Sequence, residues 1–571
     1  MAAELKKTDV VIVGLGAAGG VACLPLASSG MEVIGLEAGS WLNIRDNAPD
    51  ELKINRHAWP PAPQKVRGEG PTSRPNASSP SRRVNHPMMN AVGGTTHHYN
   101  GLSWRLNPWD FKVRSETMKR YGASRIPKGS TVEDWPFGYD ELEPYYDRVE
   151  YAIGVSGKAG NLQGKIDQRG NVFEGPRRRE YPMPPLRETG FTDKMAAAAR
   201  ALGWHAFRGP AAIATEPYEG RPGCAYHGYC LGAGCHVNAK SSTAVTTIPK
   251  AQKTGHFHIV TEARVTTIVV DKNGRASGVN YLKDGQEYFQ PAGVVLMASH
   301  LYENVRLLLL CKSKAYPNGL SNNHGQVGKH YFSHNEIGAV SALFPFNLHN
   351  WYGTVSQGVA IDDWADDNFD HSGLDFIGGG NLWFAGERRP MASVDSLQTW
   401  LKGRRDWGSA WKSFVKQNAD RTNNAHVQKT TLPYEDNYLD LDPDVKDPLG
   451  VPVIRITAEF KENEKKIATF TQGKIEDLYK EAGAIATERA VVGGSMPMGA
   501  AAHAYGGTRM GDNPETNVVN RWSFSHEVPN LGILGGGVLG TSGAHNPTLT
   551  IQALAWRTAE YLVKNWKSIS S

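Results

Sequence analysis

Val10-Val-Ile-Val-Gly14-Leu-Gly16-Ala-Ala-Gly19 decides how this 571-residue chain begins to fold. Four consecutive β-branched residues predict a buried strand, the glycines a tight turn, and residues 21–29 the helix that follows. Gly14 permits the sharp strand-to-helix turn, Gly16 lets backbone approach a pyrophosphate, and Gly19 allows helix and strand to pack closely. The helix N-terminus then faces the phosphates. A second strand, Glu32-Val-Ile-Gly-Leu-Glu37, ends in an acid 23 residues after Gly14. Glu37 is placed to accept hydrogen bonds from an adenosine ribose. The order strand, turn, helix, strand, acid predicts a Rossmann-like dinucleotide site and leaves NAD and FAD both open.

The same glycines settle another ambiguity. Residues 10–31 carry no charge and follow Lys6 and Lys7, a pattern shared with signal peptides and membrane spans. Glycine-rich punctuation assigns them to the nucleotide fold instead, so no membrane span is predicted and cytoplasmic residence is the expectation. A 40% hydrophobic chain of this length can bury a large core in more than one domain. With 62 basic against 57 acidic residues the net charge is +5, and no basic run alternates with aromatics. Nucleic acid is therefore not an expected partner. Cys23, Cys224, Cys230, Cys235 and Cys311 are too few and too scattered for a disulfide scaffold, which fits a reducing compartment.

Two further segments carry chemistry. Val92-Gly93-Gly94-Thr95-Thr96-His97-His98-Tyr-Asn-Gly101 follows a Pro/Ser/Arg-rich loop at 60–83. Its glycines and hydroxyls let a planar ligand come close. His97 and His98 read either as packed, hydrogen-bonded histidines or, at His98, as a covalent attachment point. Near the other end stands His503-Ala-Tyr-Gly-Gly-Thr-Arg-Met-Gly511, then a short predicted strand at 531–534, then Asn546-Pro547-Thr548-Leu-Thr550 opening a helix to about Trp566. Such a return can bring His503 and Asn546 to one site. A neutral imidazole suits removal of a hydroxyl proton, and a carboxamide can hold the hydroxyl. Asn546 also reads as a helix N-cap, and capping and catalysis are compatible. The helix from Pro547 and Thr548 would offer free N–H groups to developing negative charge.

Taken together, Gly14/Gly16/Gly19 with Glu37, the segment from Val92, and His503 with Asn546 resemble the glucose-methanol-choline (GMC) oxidoreductases. The similarity extends over nearly the whole chain, least at 340–430, and is greatest to pyranose oxidases, bacterial glycoside 3-oxidases and sugar or gluconate dehydrogenase subunits. It implies an α/β fold: a discontinuous FAD-binding domain (1–112, 215–335, 495–571) and an α+β substrate domain with an antiparallel sheet (113–214, 336–494). FAD would be the cofactor, His503 and Asn546 the catalytic pair, and His98 the counterpart of the histidine that carries flavin covalently in pyranose oxidases. Val265 would lie beside the adenine. The expected reaction is oxidation of a secondary ring hydroxyl of a sugar or glycoside to a ketone at C2 or C3. Electrons would pass to O2, giving hydrogen peroxide, or to a quinone.

Remaining segments read as structure, with alternatives. Residues 141–153 place Leu142, Tyr145, Val149 and Ile153 on one helical face. Residues 256–267 alternate like one strand, and 293–297 read as a short buried one. Six of fifteen tryptophans fall between 351 and 411, and either pack in the core or stack on a carbohydrate. Gly378-Gly-Gly380 reads as a lid hinge or a plain loop. Cys224, Cys230 and Cys235 read as structural thiols or as ligands of an iron–sulfur cluster in a dehydrogenase subunit that serves an electron-accepting partner. No other metal ligands are assigned. A lyase with FAD as scaffold and a noncatalytic flavoprotein are the remaining readings, and the oligomeric state is left open.

Overall fold

The computed structural model describes residues 3–44, 47, 51, 88–351, 353–386, 394, 397, 400, 407–425 and 427–571. The Pro/Ser/Arg-rich stretch at 60–83 lies outside the described residues. The strand Thr8–Val13 sits mid-sheet with Val33–Leu36 on one side and Gln286–Met297 on the other, all parallel. Phe257–Val260 extends the sheet beyond Val33–Leu36, and Leu531–Ile533 adds parallel to Gln286–Met297. Val10, Val11 and Ile12 are fully buried because helices cover this sheet, as parallel sheets require. The helices Gly19–Ser28 and Thr548–Lys564 pack against each other over it.

Gln286–Met297 serves two sheets. Residues 286–291 pair antiparallel with Ala276–Lys283, which pairs in turn with Arg264–Val270, while residues 292–297 join the parallel sheet. Pro291, which has no N–H, stands at the changeover. The segment read as a short strand at 293–297 is thus the end of a twelve-residue one. The single strand expected at 256–267 is also two strands. The chain turns at Glu262, which has φ of 55°, and the amides of Glu262 and Ala263 donate to the carbonyls of Gly39 and Glu37. An alternating pattern cannot register a one-residue left-handed turn between two equally alternating halves.

The other sheets are antiparallel. One runs Gln428–Lys429, Gly380–Ala385, Gly358–Ile361, Ala206–Arg208; another sets Val340–Leu343 between Thr422–Ala425 and Ala486–Arg489. The helices Gly190–Ala201 and Glu462–Glu481 close a core of Phe191, Phe344, Ile475, Leu478 and Tyr479 on them. Gly378-Gly-Gly380 is closely packed: Gly379 lies against the Trp364 carbonyl, and Gly380 N–H donates to that carbonyl at 2.7 Å.

The helix Tyr139–Ile153 buries Leu142, Val149 and Ile153, yet Glu143, Asp147 and Glu150 on it are buried too. Glu150 is fully enclosed and accepts two bonds of 2.8 Å from Arg105 and one of 2.5 Å from Arg177. Arg177 also stacks 3.8 Å from the Tyr181 ring centroid. Burial opposes the Glu150 charge, but the two guanidiniums outweigh it and hold the carboxyl below its ordinary range. Hydrophobic patterning identified the helix and missed its ionic side, because Arg105 and Arg177 come from distant segments.

Candidate active site

A cavity of about 740 Å³ runs from the end of the Rossmann-like sheet to the antiparallel sheets. At the nucleotide end, Gly14 adopts φ of 91°, and a Cβ there would lie 2.8 Å from Ser299 Cα. Gly94, with φ of 50°, lies so close to Gly16 that a Cβ would come within 2.9 Å of its Cα. Two glycine turns pressed together leave bare backbone facing the cavity. Glu37 lines it as well, and its carboxylate accepts from the amides of Leu15 at 3.0 Å and Gly39 at 2.9 Å. The same acid therefore braces the turn.

Of the residues singled out in the sequence, Gly14, Gly16, Glu37, Gly94, Thr95, Thr96, His98, Val265, His503, Asn546, Pro547 and Thr548 all line this cavity. Gly19 and Gly93 stand behind it. A Cβ on Gly19 would strike the Gly14 carbonyl at 2.0 Å, and Gly93 makes a left-handed turn with φ of 95°. Thr96 hydroxyl donates to the Gly93 carbonyl at 2.5 Å and lies 3.0 Å from Ser242 Oγ. His97 points away, its Nε2 2.6 Å from the Val92 carbonyl.

At the far end, strand pairing assembles the polar groups. Ala504–Tyr505 pairs with Phe332–Ser333, so His503 and His334 emerge side by side. Their Nδ1 atoms are 2.9 Å apart, and His334 Nε2 is 3.0 Å from the Tyr505 hydroxyl. Gln428 reaches His503 Nδ1 at 3.0 Å, and Asn546 Nδ2 approaches His503 Nε2 at 3.3 Å. With the His503 Nε2 lone pair facing the Asn546 amide, Nδ1 carries the proton and donates to His334, whose Nε2–H donates to Tyr505; Gln428 then pairs at Nδ1 only with its amide oxygen turned toward the ring. Burial pushes His503 down to about 4 and His334 well below the ordinary imidazole value, so both rings are neutral at pH 7. The helix Thr548–Lys564 is capped at Pro547 without a side-chain bond, which leaves the Asn546 carboxamide for His503.

His334, Tyr505 and Gln428 were not picked out from sequence. Their link to His503 depends on pairing across 75 and 169 residues for Gln428 and His334, and only the short Tyr505 neighbour was within local view. Asn381, Trp383 and Glu336 also line this end. Trp383 is the member of the six-tryptophan cluster on the cavity wall among the described residues; Trp364 packs against Trp204 and Phe470, and Trp407 is 85% exposed.

Two family models described as GMC oxidoreductase match residues 130–336 and 433–555. The chain belongs to the GMC oxidoreductase family. This GMC oxidoreductase is 32% identical to the gluconate 2-dehydrogenase flavoprotein of Pantoea cypripedii, over 98% of the chain and 94% of that protein. It is 30% identical to the 2-methyl-1,2-propanediol dehydrogenase of Mycolicibacterium austroafricanum (100% and 97% covered) and 28% identical to the fructose dehydrogenase large subunit of Gluconobacter japonicus (99% and 100% covered). The fold of an Aspergillus oryzae formate oxidase, solved in work on its FAD modification, superposes with a TM-score of 0.59 at 12% identity, covering 99% of each chain. The GMC oxidoreductase acts on CH–OH groups, and FAD is its cofactor. The Gly14, Gly16 and Gly94 turns fit that group: they offer a pyrophosphate bare backbone, and a Cβ at Gly14 or Gly94 would strike neighbouring backbone and force the turns apart. Among the described residues no helix is long and apolar enough to cross a membrane.

Gly14→Ala tests the glycine turns. A methyl group pressed into backbone at φ of 91° should cost about 1–3 kcal/mol. The purified variant should lose most of its flavin absorbance relative to protein absorbance; full retention would show that the turn tolerates displacement.

Proposed function

We propose that this enzyme oxidises a secondary ring hydroxyl of a sugar or glycoside to a ketone, at C2 or C3, and passes electrons to O2 or a quinone. The observation that carries the reading is the 3.3 Å approach of Asn546 to His503 Nε2 in the wall of the cavity that begins at Gly16 and Glu37. In this reading His503 Nε2 takes the hydroxyl proton, and His334 and Tyr505 keep its Nδ1 protonated. Asn546 holds the substrate oxygen and aligns the C–H bond. Bound FAD would supply the hydride acceptor for the C–H bond so aligned. Pro547 and Thr548, at the start of the helix Thr548–Lys564, favour negative charge next to the site. Asn381, Gln428 and Glu336 offer bonds to ring hydroxyls, and Trp383 an aromatic wall, which supports a carbohydrate. Relatives named for gluconate and fructose support the same class.

Anaerobic titration with a panel of monosaccharides, sugar acids and glycosides, following the flavin band near roughly 450 nm, is the test. Bleaching by a sugar followed by product analysis would give the carbon; bleaching only by simple diols would transfer the reading to that class. The proton step predicts its own pH signature. Only neutral His503 accepts a proton, so kcat/KM should stay flat from pH 8 down to about 5 and fall below about 4. An inflection near 6.5 would mean that the base is a solvated group instead.

One observation favours a second reading, a dehydrogenase subunit that transfers electrons through an iron–sulfur cluster. Cys224, Cys230 and Cys235 line one small pocket with His227 and His236. Cys230 accepts from Thr354 and Cys224 from the Tyr226 amide, and sulfurs holding iron accept such bonds. Leu231 and Gly232, next in the chain, line the flavin cavity. Iron with brown absorbance, lost in Cys230→Ser, would support this reading, and iron-free active enzyme would end it.

A further inference from the structure

Directly behind Asn546 the chain encloses a group of charges that the reaction does not use. Asp110, on the turn Pro108–Phe111, Asp362 and Asp366, just after the strand Gly358–Ile361, and His545 all converge there, and each is at most 1% exposed. Among the described residues no Lys or Arg pairs with these three carboxylates, and His545 is their one potential cation. Ionised together, three carboxylates would leave a surplus of two negative charges in a dry interior even with that imidazole charged, so the group must hold either protons or a cation.

The hydrogen bonds show which atoms are held and which are presented. Asn107 ties two carboxylates together, its backbone N–H donating to Asp110 Oδ2 at 2.8 Å and its Nδ2 to Asp366 Oδ2 at 2.8 Å. His545 Nε2 lies 3.2 and 3.1 Å from the two Asp362 oxygens, and Asp362 is itself held by Asn171 at 2.6 Å and Asn381 at 2.5 Å. Asp110 Oδ1, Asp366 Oδ1 and His545 Nδ1 are left buried without a hydrogen-bond partner; Nδ1 stops 4.0 Å from Asp366 Oδ2. Asp110, Asp366 and His545 each offer a ligand atom within 4.8 Å of the others. A histidine whose outer nitrogen donates to a carboxylate while its inner nitrogen faces two more carboxylates is the arrangement that metal-ligating histidines adopt.

We propose that Asp110, Asp366 and His545 bind one divalent transition-metal ion, of the zinc or manganese class, that locks the segment carrying Asn546. The donor set selects the ion. Calcium takes six to eight oxygens and magnesium an oxygen-rich octahedron, whereas one imidazole and two carboxylates, with water completing the shell, suit zinc or manganese. A dication cancels the surplus charge of the group. His545 is the residue before Asn546, so fixing its ring fixes the carboxamide beside His503. The ion is structural here and takes no part in the oxidation.

The test is elemental analysis of the intact, flavin-loaded enzyme, purified without chelator and again after incubation with Zn2+ or Mn2+ and desalting. About one zinc or manganese per chain is expected. Asp110→Asn and Asp366→Asn should each lower that content at least tenfold, and Asp362→Asn should weaken affinity about ten- to hundredfold through the histidine it supports. Cys230→Ser should keep the metal, which separates this site from the cysteine pocket. Should an Asn variant fail to fold, Co2+ uptake by the wild-type chain, read by d–d absorption with nitrogen–oxygen ligation, decides in its place. Wild-type enzyme that neither contains nor takes up a divalent ion, or metal retained in full by folded Asp110→Asn and Asp366→Asn, overturns the proposal, whatever the enzyme oxidises.

Discussion

His503→Ala should keep its yellow FAD and lose reduction by sugar, with kcat/KM falling by about 10²–10⁴. The variant removes the one imidazole whose free nitrogen faces Asn546, and leaves the glycine turns at Gly14, Gly16 and Gly94 untouched. His334 cannot substitute, because it is 3% exposed and its ring nitrogens face His503 and Tyr505. Burial disfavours charge on either histidine, so each ring is neutral and His503 keeps one nitrogen free to take a proton from substrate. Stopped-flow reduction under anaerobic conditions separates this step from turnover. Reduction by the variant at the wild-type rate would remove His503 from the proton transfer.

The largest loss of stability should come from Glu150→Ala. It strips the carboxylate from between Arg105 and Arg177, which are buried, and leaves two guanidiniums facing each other. Breaking one side of a buried pair costs about 3–5 kcal/mol. The sign of the pH dependence follows from the same contact. The folded-state carboxyl is held below its ordinary value, so its contribution is complete above the unfolded pKa and disappears as pH falls through the folded one. Denaturant midpoints of wild type and variant should therefore differ most at neutral pH and converge in acid. A neutral-pH loss below about 1 kcal/mol would mean that water reaches the arginines.

What could be read in advance follows the range of each interaction. Gly14, Gly16 and Glu37 were legible because strand, turn and acid lie within 30 residues and each answers to a backbone requirement. His503 and Asn546 were legible as a pair, since one strand and a glycine turn suffice to return the chain. The bend at Glu262 was not, because its φ of 55° is imposed by contacts with Gly39 and Glu37 far away in sequence. Nor could His334, Gln428 or the Asp110, Asp362, Asp366 and His545 group be foreseen. Each residue in them is unremarkable locally, and its chemistry appears only when antiparallel pairing and three separate segments bring it to a partner. The tryptophan-rich stretch, left open between core packing and a carbohydrate wall, divides: Trp383 lies on the cavity wall, and Trp364 packs against Trp204 and Phe470.

Gln286–Met297, flanked on one edge by Thr8–Val13 and on the other by Leu531–Ile533, joins three segments that are made far apart in time during translation. At ribosomal speeds of about 5–20 residues per second, the glycine turn waits on the order of tens of seconds for the strand and helix that complete it. Completion of this sheet is thereby deferred until residues 531–533 have been made. A nascent chain stalled before residue 531 would expose an unpaired Val295–Met297 edge, a natural target for chaperones and a starting point for aggregation.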